Sequence, residues 1–209
     1  MDNNIIQQNI SHGRAVPVDP EYDKFVDEAA ASKDTTTLQN DSTQCALSVL
    51  RSFAKHAKST LDVFSGSLDP QVYDDVELDK YLQVFLNERK GAIRVLIQDL
   101  DTFNKISPSP LIFGNISSHP NVKIAFLPLT KKSADLAHFA VVDSSSYRLE
   151  VNAAEHQALV SFNDPKHSLQ LRECYEALWS RSTLFNKPSS SLKPIPEGET
   201  AVLIPANKS

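Results

Sequence analysis

The side chains best suited to chemistry cluster between residues 136 and 150 of this sequence. His138 could serve as a base or a ligand, and Asp143 closes the apolar segment that follows it. Arg148 and Glu150 alternate with apolar residues in the next segment, which places both on one face of a predicted strand. The planar guanidinium of Arg148 could hold an anion through two hydrogen bonds. The stretch therefore contains a candidate acid–base group and a candidate anion-binding group.

Each of these residues also has a structural interpretation. His138 fits a half-buried imidazole that packs and forms hydrogen bonds. Asp143 begins a serine-rich turn and would most simply cap that turn through its own backbone. Arg148 and Glu150 could form a rim ion pair, which contributes little to stability. Residue type alone favours these structural roles.

Three acidic residues at predicted strand ends, Asp62, Asp99 and Asp101, suggest a Mg²⁺ site, because carboxylate oxygens are the ligands of that ion. No supporting motif surrounds them, so turn-forming roles are favoured. The two cysteines, Cys45 and Cys174, lack the C-x-x-C spacing of metal sites. We expect no metal, no cofactor and two buried thiols in a reducing compartment.

Basic residues offer an alternative function, the binding of nucleic acid. The side chains that could converge on one surface are Arg51, Lys55, Lys58, Lys123, Lys131, Lys132, His138 and Arg148. Phosphate contacts of this kind would make the affinity fall steeply with salt. The formal net charge of -5 argues against a surface devoted to nucleic acid, although a local basic patch is compatible with it.

The hydrophobic pattern predicts an α/β domain in which helices flank a mixed, partly parallel sheet. Helical periodicity begins after Asp41, whose spacing to Gln44 fits a capping box. Strands are predicted at 60–65, 92–98, 122–127, 138–142, 147–150 and 158–162. A helix between the first two makes a parallel βαβ unit, whereas the short connection at 143–146 fits an antiparallel hairpin. The last helix should start at Asp164-Pro165, an N-cap followed by proline.

Composition predicts one domain with two polar ends. Hydrophobic residues make up 41% of the 209 residues, which suffices for a core. Residues 1–40 are predicted to form a flexible polar arm with a short helix at 21–31, residues 41–183 the domain, and residues 184–209 a Pro/Ser-rich tail. The start of the chain lacks the features of a signal peptide, and no apolar run approaches the ~20 residues that cross a bilayer. We expect a soluble cytoplasmic protein with no membrane partner.

The segment from Leu136 to Asp143, with the strand and the Phe162-to-Pro165 cap after it, resembles the phospholipase D superfamily over residues 46–182. The motif of that family is H-x-K-x-x-x-x-D, in which the histidine attacks phosphorus and the lysine holds phosphate oxygens. Aligned on Asp143, this sequence has Leu136 at the histidine position and His138 at the lysine position. Leucine has no lone pair, so no phosphohistidine can form there. Making His138 the nucleophile instead puts alanine at the lysine position and breaks the spacing to the aspartate.

The resemblance therefore implies a phospholipase D-like fold whose motif is degenerate at Leu136, His138 and Asp143, with no catalytic residue. The family assembles its active site from two motif copies and this chain carries one, so a homodimer is expected. The long polar ends suggest contacts with a partner protein. Two alternatives remain: a nucleic-acid-binding protein with a residual phosphate cleft, and a phosphodiesterase or nuclease with an atypical site built on His138 and Asp143.

Overall fold

The computed structural model describes residues 16–105, 116–128 and 136–185. The strands in these ranges are β1 (Leu38–Asn40), β2 (Thr60–Ser65), β3 (Ala92–Ile97), β4 (Val122–Phe126), β5 (Phe139–Val142), β6 (Ser146–Asn152), β7 (Gln157–Ser161) and β8 (Thr183–Leu184). They form one sheet in the order β1-β7-β6-β5-β2-β3-β4-β8.

The helices of the described ranges are α1 (Pro20–Ser32), α2 (Thr43–His56), α3 (Pro70–Tyr73), α4 (Val76–Asn87), α5 (Leu100–Lys105) and α6 (Pro165–Trp179). A short 3₁₀ turn, Ala153–Glu155, joins β6 to β7. Among these described helices, none is both long and apolar enough to cross a bilayer.

The centre of the sheet is parallel and its flanks are antiparallel. β2, β3 and β4 run parallel, and α4 supplies the crossover between β2 and β3. The other strands add antiparallel, with β5, β6, β7 and β1 on one side and β8 on the other. The βαβ unit, the β5–β6 hairpin and the mixed sheet flanked by helices are thus confirmed.

Side-chain alternation along the strands divides the core into two layers. On one face of β2, Leu61 and Val63 pack with α1, α2 and α4. On the opposite face, Phe64 of β2 and Phe139 of β5 pack with Tyr175 of α6. Since successive side chains of a strand point to opposite faces, the position of a residue in β2, β5 or β6 decides whether it faces α2 or α6.

Residues 16–40, which the sequence assigned to a flexible arm, are folded against the domain. The helix α1 buries Val26, Ala29 and Ala30 on the α2 side of the core. Strand β1 pairs antiparallel with β7 along its whole length. The short helix predicted at 21–31 is present as α1. Its packing could not be predicted, because the surfaces that this segment covers are formed by α2 and β7 only in the folded chain. Residues 1–15, the first part of the predicted arm, and residues 186–209, nearly all of the predicted C-terminal tail, lie outside the described residues.

The N-terminal caps of α2 and α6 can be compared with the residues predicted to cap them. The N-cap of α2 is Ser42 and not Asp41, because the hydroxyl of Ser42 accepts the N–H of Cys45 at 3.1 Å. The start of α6 is as predicted, with Asp164 as N-cap and proline at the first helical position. A serine and an aspartate cap equally well, so sequence alone left the register of the first helix uncertain by one residue.

Candidate functional site

The predicted site residues meet where β2, β5 and β6 lie side by side. His138 directly precedes β5, whose Phe139 lies opposite Phe64 near the carboxyl end of β2. Arg148 and Glu150 are alternate residues of β6 and project to the same face as His138, toward α2. Ligand sites of open α/β sheets favour this edge, outside the carboxyl ends of the parallel strands.

His138 is held on both of its ring nitrogens. Its Nδ1 lies 3.2 Å from Oε2 of Glu150, and its Nε2 lies 3.0 Å from Oε1 of Gln98. The ring also packs edge-on against Phe64. A Cβ atom at Gly66 would come within 3.0 Å of the imidazole, so this glycine gives the ring its space. The sequence singled out His138 but contained no signal for Gln98.

Glu150 is the centre of the charged cluster. Its Oε1 accepts a 3.2 Å hydrogen bond from a terminal guanidinium nitrogen of Arg148, and the ring of His156 lies 4.0 Å from the same oxygen. Burial acts to raise the pKa of Glu150, but the hydrogen bond from His138 and the charge of Arg148 outweigh it. The pKa of this carboxyl group therefore lies below its ordinary value, and Glu150 is an anion at neutral pH.

Arg148 is not a rim residue. It is 8% exposed, and its Nε donates a 2.8 Å hydrogen bond to Oδ1 of the buried Asn40 in β1. The guanidinium therefore has two partners, one on its own strand and one from the N-terminal segment. The predicted pairing of Arg148 with Glu150 is present, but both side chains are mostly buried rather than exposed.

These side chains line a pocket of about 180 Å³ between α2 and the sheet. Its wall also carries Ser65, Asp69 and Tyr73. Burial is the main reason that the pKa of Tyr73 is raised to about 12, and the charge of Glu150 adds to the effect. The lining thus holds two carboxylates, Asp69 and Glu150, against one guanidinium. A pocket of this charge is poorly suited to clamp a phosphodiester.

Leu136, aligned with the nucleophile of the resembled family, lies away from this pocket. Its side chain packs against the apolar cluster on the α6 side of the sheet. Leu136 does not line the pocket, whereas His138, two residues later in the chain, does.

Asp143 lies at the opposite end of β5, at the hairpin, and adopts a positive φ of 51°. Its carboxylate does not cap its own turn as predicted. It accepts the backbone N–H groups of Lys58, Ser59 and Thr60 at 2.8 to 3.1 Å, and so fixes the start of β2. Burial acts to raise the pKa of Asp143, but these three donors outweigh it and lower the pKa. The role is structural, because the donors are backbone groups of the loop that leads into β2 and of its first residue.

The predicted basic surface is dispersed in the described residues. Arg51 forms a buried ion pair with Asp75, and Lys55 contacts Asp27 at 2.6 Å. Lys123 is an exposed residue of β4. None of these three lines the pocket with His138 and Arg148, while Lys131 and Lys132 lie outside the described residues.

The acidic residues also have structural roles in the described ranges. Asp99 accepts the N–H of Thr102 at the start of α5, as expected for a turn residue. Asp62 is buried in the middle of β2 and forms two hydrogen bonds with Arg94 of β3. No group of three or more His, Cys, Asp or Glu side chains that could hold a metal occurs in the part of the chain that the structure describes. Sequence reasoning missed the Asp62–Arg94 pair, since the two residues are neighbours only through sheet register.

Solved structures similar to this chain share its fold at low sequence identity. NucT from Helicobacter pylori matches with a TM-score of 0.54 at 14% identity, over 72% of this chain and 99% of NucT. TrmBL2, an archaeal chromatin protein described as showing a novel mode of DNA binding, matches with a TM-score of 0.53 at 9% identity, over 78% of this chain. The chain spans 60% of the length of TrmBL2.

Nuc from Salmonella typhimurium, a phospholipase D family member, matches with a TM-score of 0.49 at 14% identity, over 73% of this chain and 99% of Nuc. The likeness to NucT and TrmBL2 shows that this chain shares their overall fold. Sequence identities this low show a shared fold alone, so function has to be argued from the residues of the site.

A comparison with curated proteins finds no significant match. A family model described as a domain of unknown function (DUF7931) matches residues 41–187, which is more than half of the chain. Its first residue coincides with the predicted start of the domain at Asp41. The chain therefore belongs to the DUF7931 family.

Proposed function

We propose that this protein is a non-catalytic phospholipase D-like module that acts by binding a partner protein. The observation that carries the proposal is the engagement of His138 on both ring nitrogens, together with the position of Leu136 in the opposite apolar layer. Displacement at phosphorus needs an accessible lone pair on the attacking atom and positive groups around the transferred phosphate. Both ring nitrogens of His138 have partners, and the one guanidinium of the described lining, that of Arg148, is already paired.

The charge of the pocket supports the same conclusion. The guanidinium of Arg148 is already paired with Glu150 and Asn40. No lysine lines the pocket among the described residues. A phosphate group entering here would meet two carboxylates, which act against its binding.

The decisive experiment is a phosphodiesterase assay with bis(p-nitrophenyl) phosphate and with single-stranded and double-stranded DNA and RNA. The variant His138→Ala is compared with His167→Ala, an exposed histidine outside the pocket. We expect no hydrolysis above the buffer background by any of the three proteins. Hydrolysis by the wild type that disappears in His138→Ala and persists in His167→Ala would overturn the proposal.

One observation favours a second candidate, a phosphodiesterase or nuclease with an atypical site. The contact of His138 Nδ1 with the carboxylate of Glu150 is the orientation that an acid–base histidine requires. The same assay separates the two candidate functions. If His138 and Glu150 act as an acid–base pair, Glu150→Gln should also lower the rate of phosphodiester hydrolysis.

Nucleic-acid binding without hydrolysis is the remaining alternative. TrmBL2, an archaeal chromatin protein described as showing a novel mode of DNA binding, has a similar fold. The ion pairs of Arg51 and Lys55 count against it, because these cations are neutralised within the protein. Fluorescence polarisation with labelled DNA and RNA at low salt tests it. Binding that weakens steeply as salt is added would favour this alternative over the protein-binding module.

A further inference from the structure

The pocket contains one carboxylate that no cation of the described residues neutralises. This is Asp69, which is half-buried and caps α3 by accepting the backbone N–H of Gln71 at 2.9 Å. Asp69 forms no ion pair in the described part of the chain, whereas the guanidinium of Arg148 neutralises Glu150. With the histidines counted as neutral, two carboxylates against one guanidinium leave the lining with one net negative charge.

The two carboxylates converge on the phenol of Tyr73. Burial is the largest cause of the raised pKa of Tyr73, and the charges of Glu150 and Asp69 both add to it. Two anions that act on one hydroxyl group lie near the same part of the pocket, since such interactions weaken with distance. A cation placed there would be attracted by both carboxylates, whereas an anion would be repelled by both.

Arg148 supplies a hydrogen-bond donor beside these carboxylates. Its Nε donates to Asn40 and its Nη2 donates to Glu150. Its Nη1 forms no hydrogen bond with the described residues, yet it is not one of the buried atoms that lack a partner, so it is open to the solvent of the pocket. Because Glu150 already neutralises the guanidinium, this free N–H group suits a neutral acceptor, such as a carbonyl oxygen, better than a second anion.

The remaining wall of the pocket is apolar. It includes Ala46 and Leu50 of α2, Phe64 of β2 and Val72 of α3. The cavity of about 180 Å³ is smaller than the ~300 to 1,000 Å³ of sites for drug-sized ligands, so it fits one side chain rather than a cofactor. A side chain with an apolar stem and a positively charged head matches this lining. Lysine has that form, because its ammonium group ends a four-carbon stem.

We propose that the pocket receives a lysine side chain of the partner protein. The ammonium group is bound by Asp69 and Glu150, and the stem lies against the apolar wall. The backbone carbonyl group of the same lysine accepts a hydrogen bond from Nη1 of Arg148. The inference rests on the proposed function, because it names the part of a partner protein that the module recognises.

The test is a ¹H–¹⁵N NMR titration of the full chain with two blocked amino acids, Nα-acetyl-lysine methylamide and Nα-acetyl-norleucine methylamide. The two probes have the same stem and the same peptide groups, but only the lysine probe has an ammonium group. We expect the lysine probe to shift the backbone N–H signals of Gly66, Ser67 and Tyr73 and to bind at least about tenfold more tightly than the norleucine probe. Equal affinities, or no binding of the lysine probe, would overturn the proposal.

The variant Asp69→Asn tests the carboxylate itself, because asparagine keeps the oxygen that caps α3 but removes the charge. The affinity for the lysine probe should fall by about tenfold, while the affinity for the norleucine probe stays unchanged. Glu173→Gln is the matched control, since it makes the same change at an exposed site of α6 outside the pocket. An equal loss in the two variants, or no loss in Asp69→Asn, would contradict the proposal. Should Asp69→Asn not fold, the comparison of the two probes on the wild type decides the question by itself.

A third probe separates a protein partner from a small amine. The n-butylammonium ion has the ammonium group and the stem but no carbonyl group for Arg148, so it should bind more weakly than the lysine probe. Binding as tight as that of the lysine probe would mean that the pocket takes a free amine, which overturns the protein partner. Hydrolysis of a phosphodiester by the wild type would instead contradict the proposed function, so the two failures are distinguishable.

Discussion

Arg94 and Asp62 lie directly opposite each other on the parallel strands β3 and β2, and two hydrogen bonds of 2.7 and 2.8 Å join them. Asp62 is 1% exposed, while the guanidinium of Arg94 lies 4.9 Å from the ring centre of Tyr175. The pair thus ties the centre of the sheet to α6. A buried ion pair contributes little net stability compared with an apolar pair, but removal of one partner is costly because the other charge loses its buried counter-charge. Without Asp62, Arg94 would retain only the exposed Glu176 as an ionic partner in the described residues.

The substitution Asp62→Ala should therefore lower the free energy of unfolding by about 3 kcal/mol, measured by urea denaturation. Glu176→Gln is the matched control, because Glu176 contacts the same guanidinium at 2.6 Å but is 53% exposed. That variant should lose less than about 1 kcal/mol. Equal losses in the two variants would contradict the assigned importance of the buried contact.

Asp143 should make the stability of the protein depend on acid pH. Its pKa in the folded state lies below the ordinary value of 3.8, owing to the three backbone donors. Its contribution is fully present above that ordinary value and is lost as the pH falls through the lower folded value, because the unfolded chain binds the proton more readily. Asp143→Asn should be about 2 kcal/mol less stable than the wild type at pH 7. Its free energy of unfolding should also fall less steeply than that of the wild type as the pH is lowered.

The measurement for Asp143 is a series of urea denaturations between neutral and acid pH. Ser144→Ala changes the same hairpin but leaves the carboxylate in place, so its pH dependence should match that of the wild type. If the free energy of unfolding of Asp143→Asn fell with acid pH as steeply as that of the wild type, groups other than Asp143 would cause the loss of stability in acid.

Gly91 should tolerate no side chain. It lies just after α4, and a Cβ atom built on it overlaps the ring of the buried Phe85. Gly91→Ala should lower the free energy of unfolding by about 2 kcal/mol, measured by thermal and urea denaturation. The neighbouring Lys90 is exposed and has a φ of 58°, so Lys90→Gly should cause no such loss.

A homodimer remains a prediction from the resemblance to a family whose active site combines two motif copies. Light scattering coupled to gel filtration at micromolar concentrations should give twice the chain mass of 23.1 kDa. A dilution series is the control, since the fraction of a reversible dimer falls with concentration. A mass of one chain at every concentration would contradict the homodimer.

Local patterns were enough to predict most of the architecture. The alternation in β2, β5 and β6, the crossover helix α4 and the Asp164-Pro165 start of α6 have causes within a few residues of sequence, and the structure contains each of them. The cluster of His138, Arg148 and Glu150 was also visible, because alternate residues of neighbouring strands share a face. The order of the strands was not visible in the same way.

Spacing along the chain was sufficient to predict a mixed α/β sheet and the positions of most of its strands. Three features became visible only in the folded chain: Asn40 binds Arg148, Gln98 binds His138, and residues 16–40 pack on the domain. Asn40 and Arg148 are 108 residues apart in the chain, and strand pairing alone brings them together. A side chain's partners depend on sheet register and on which segments cover each face, whereas secondary structure depends mainly on spacing along the chain.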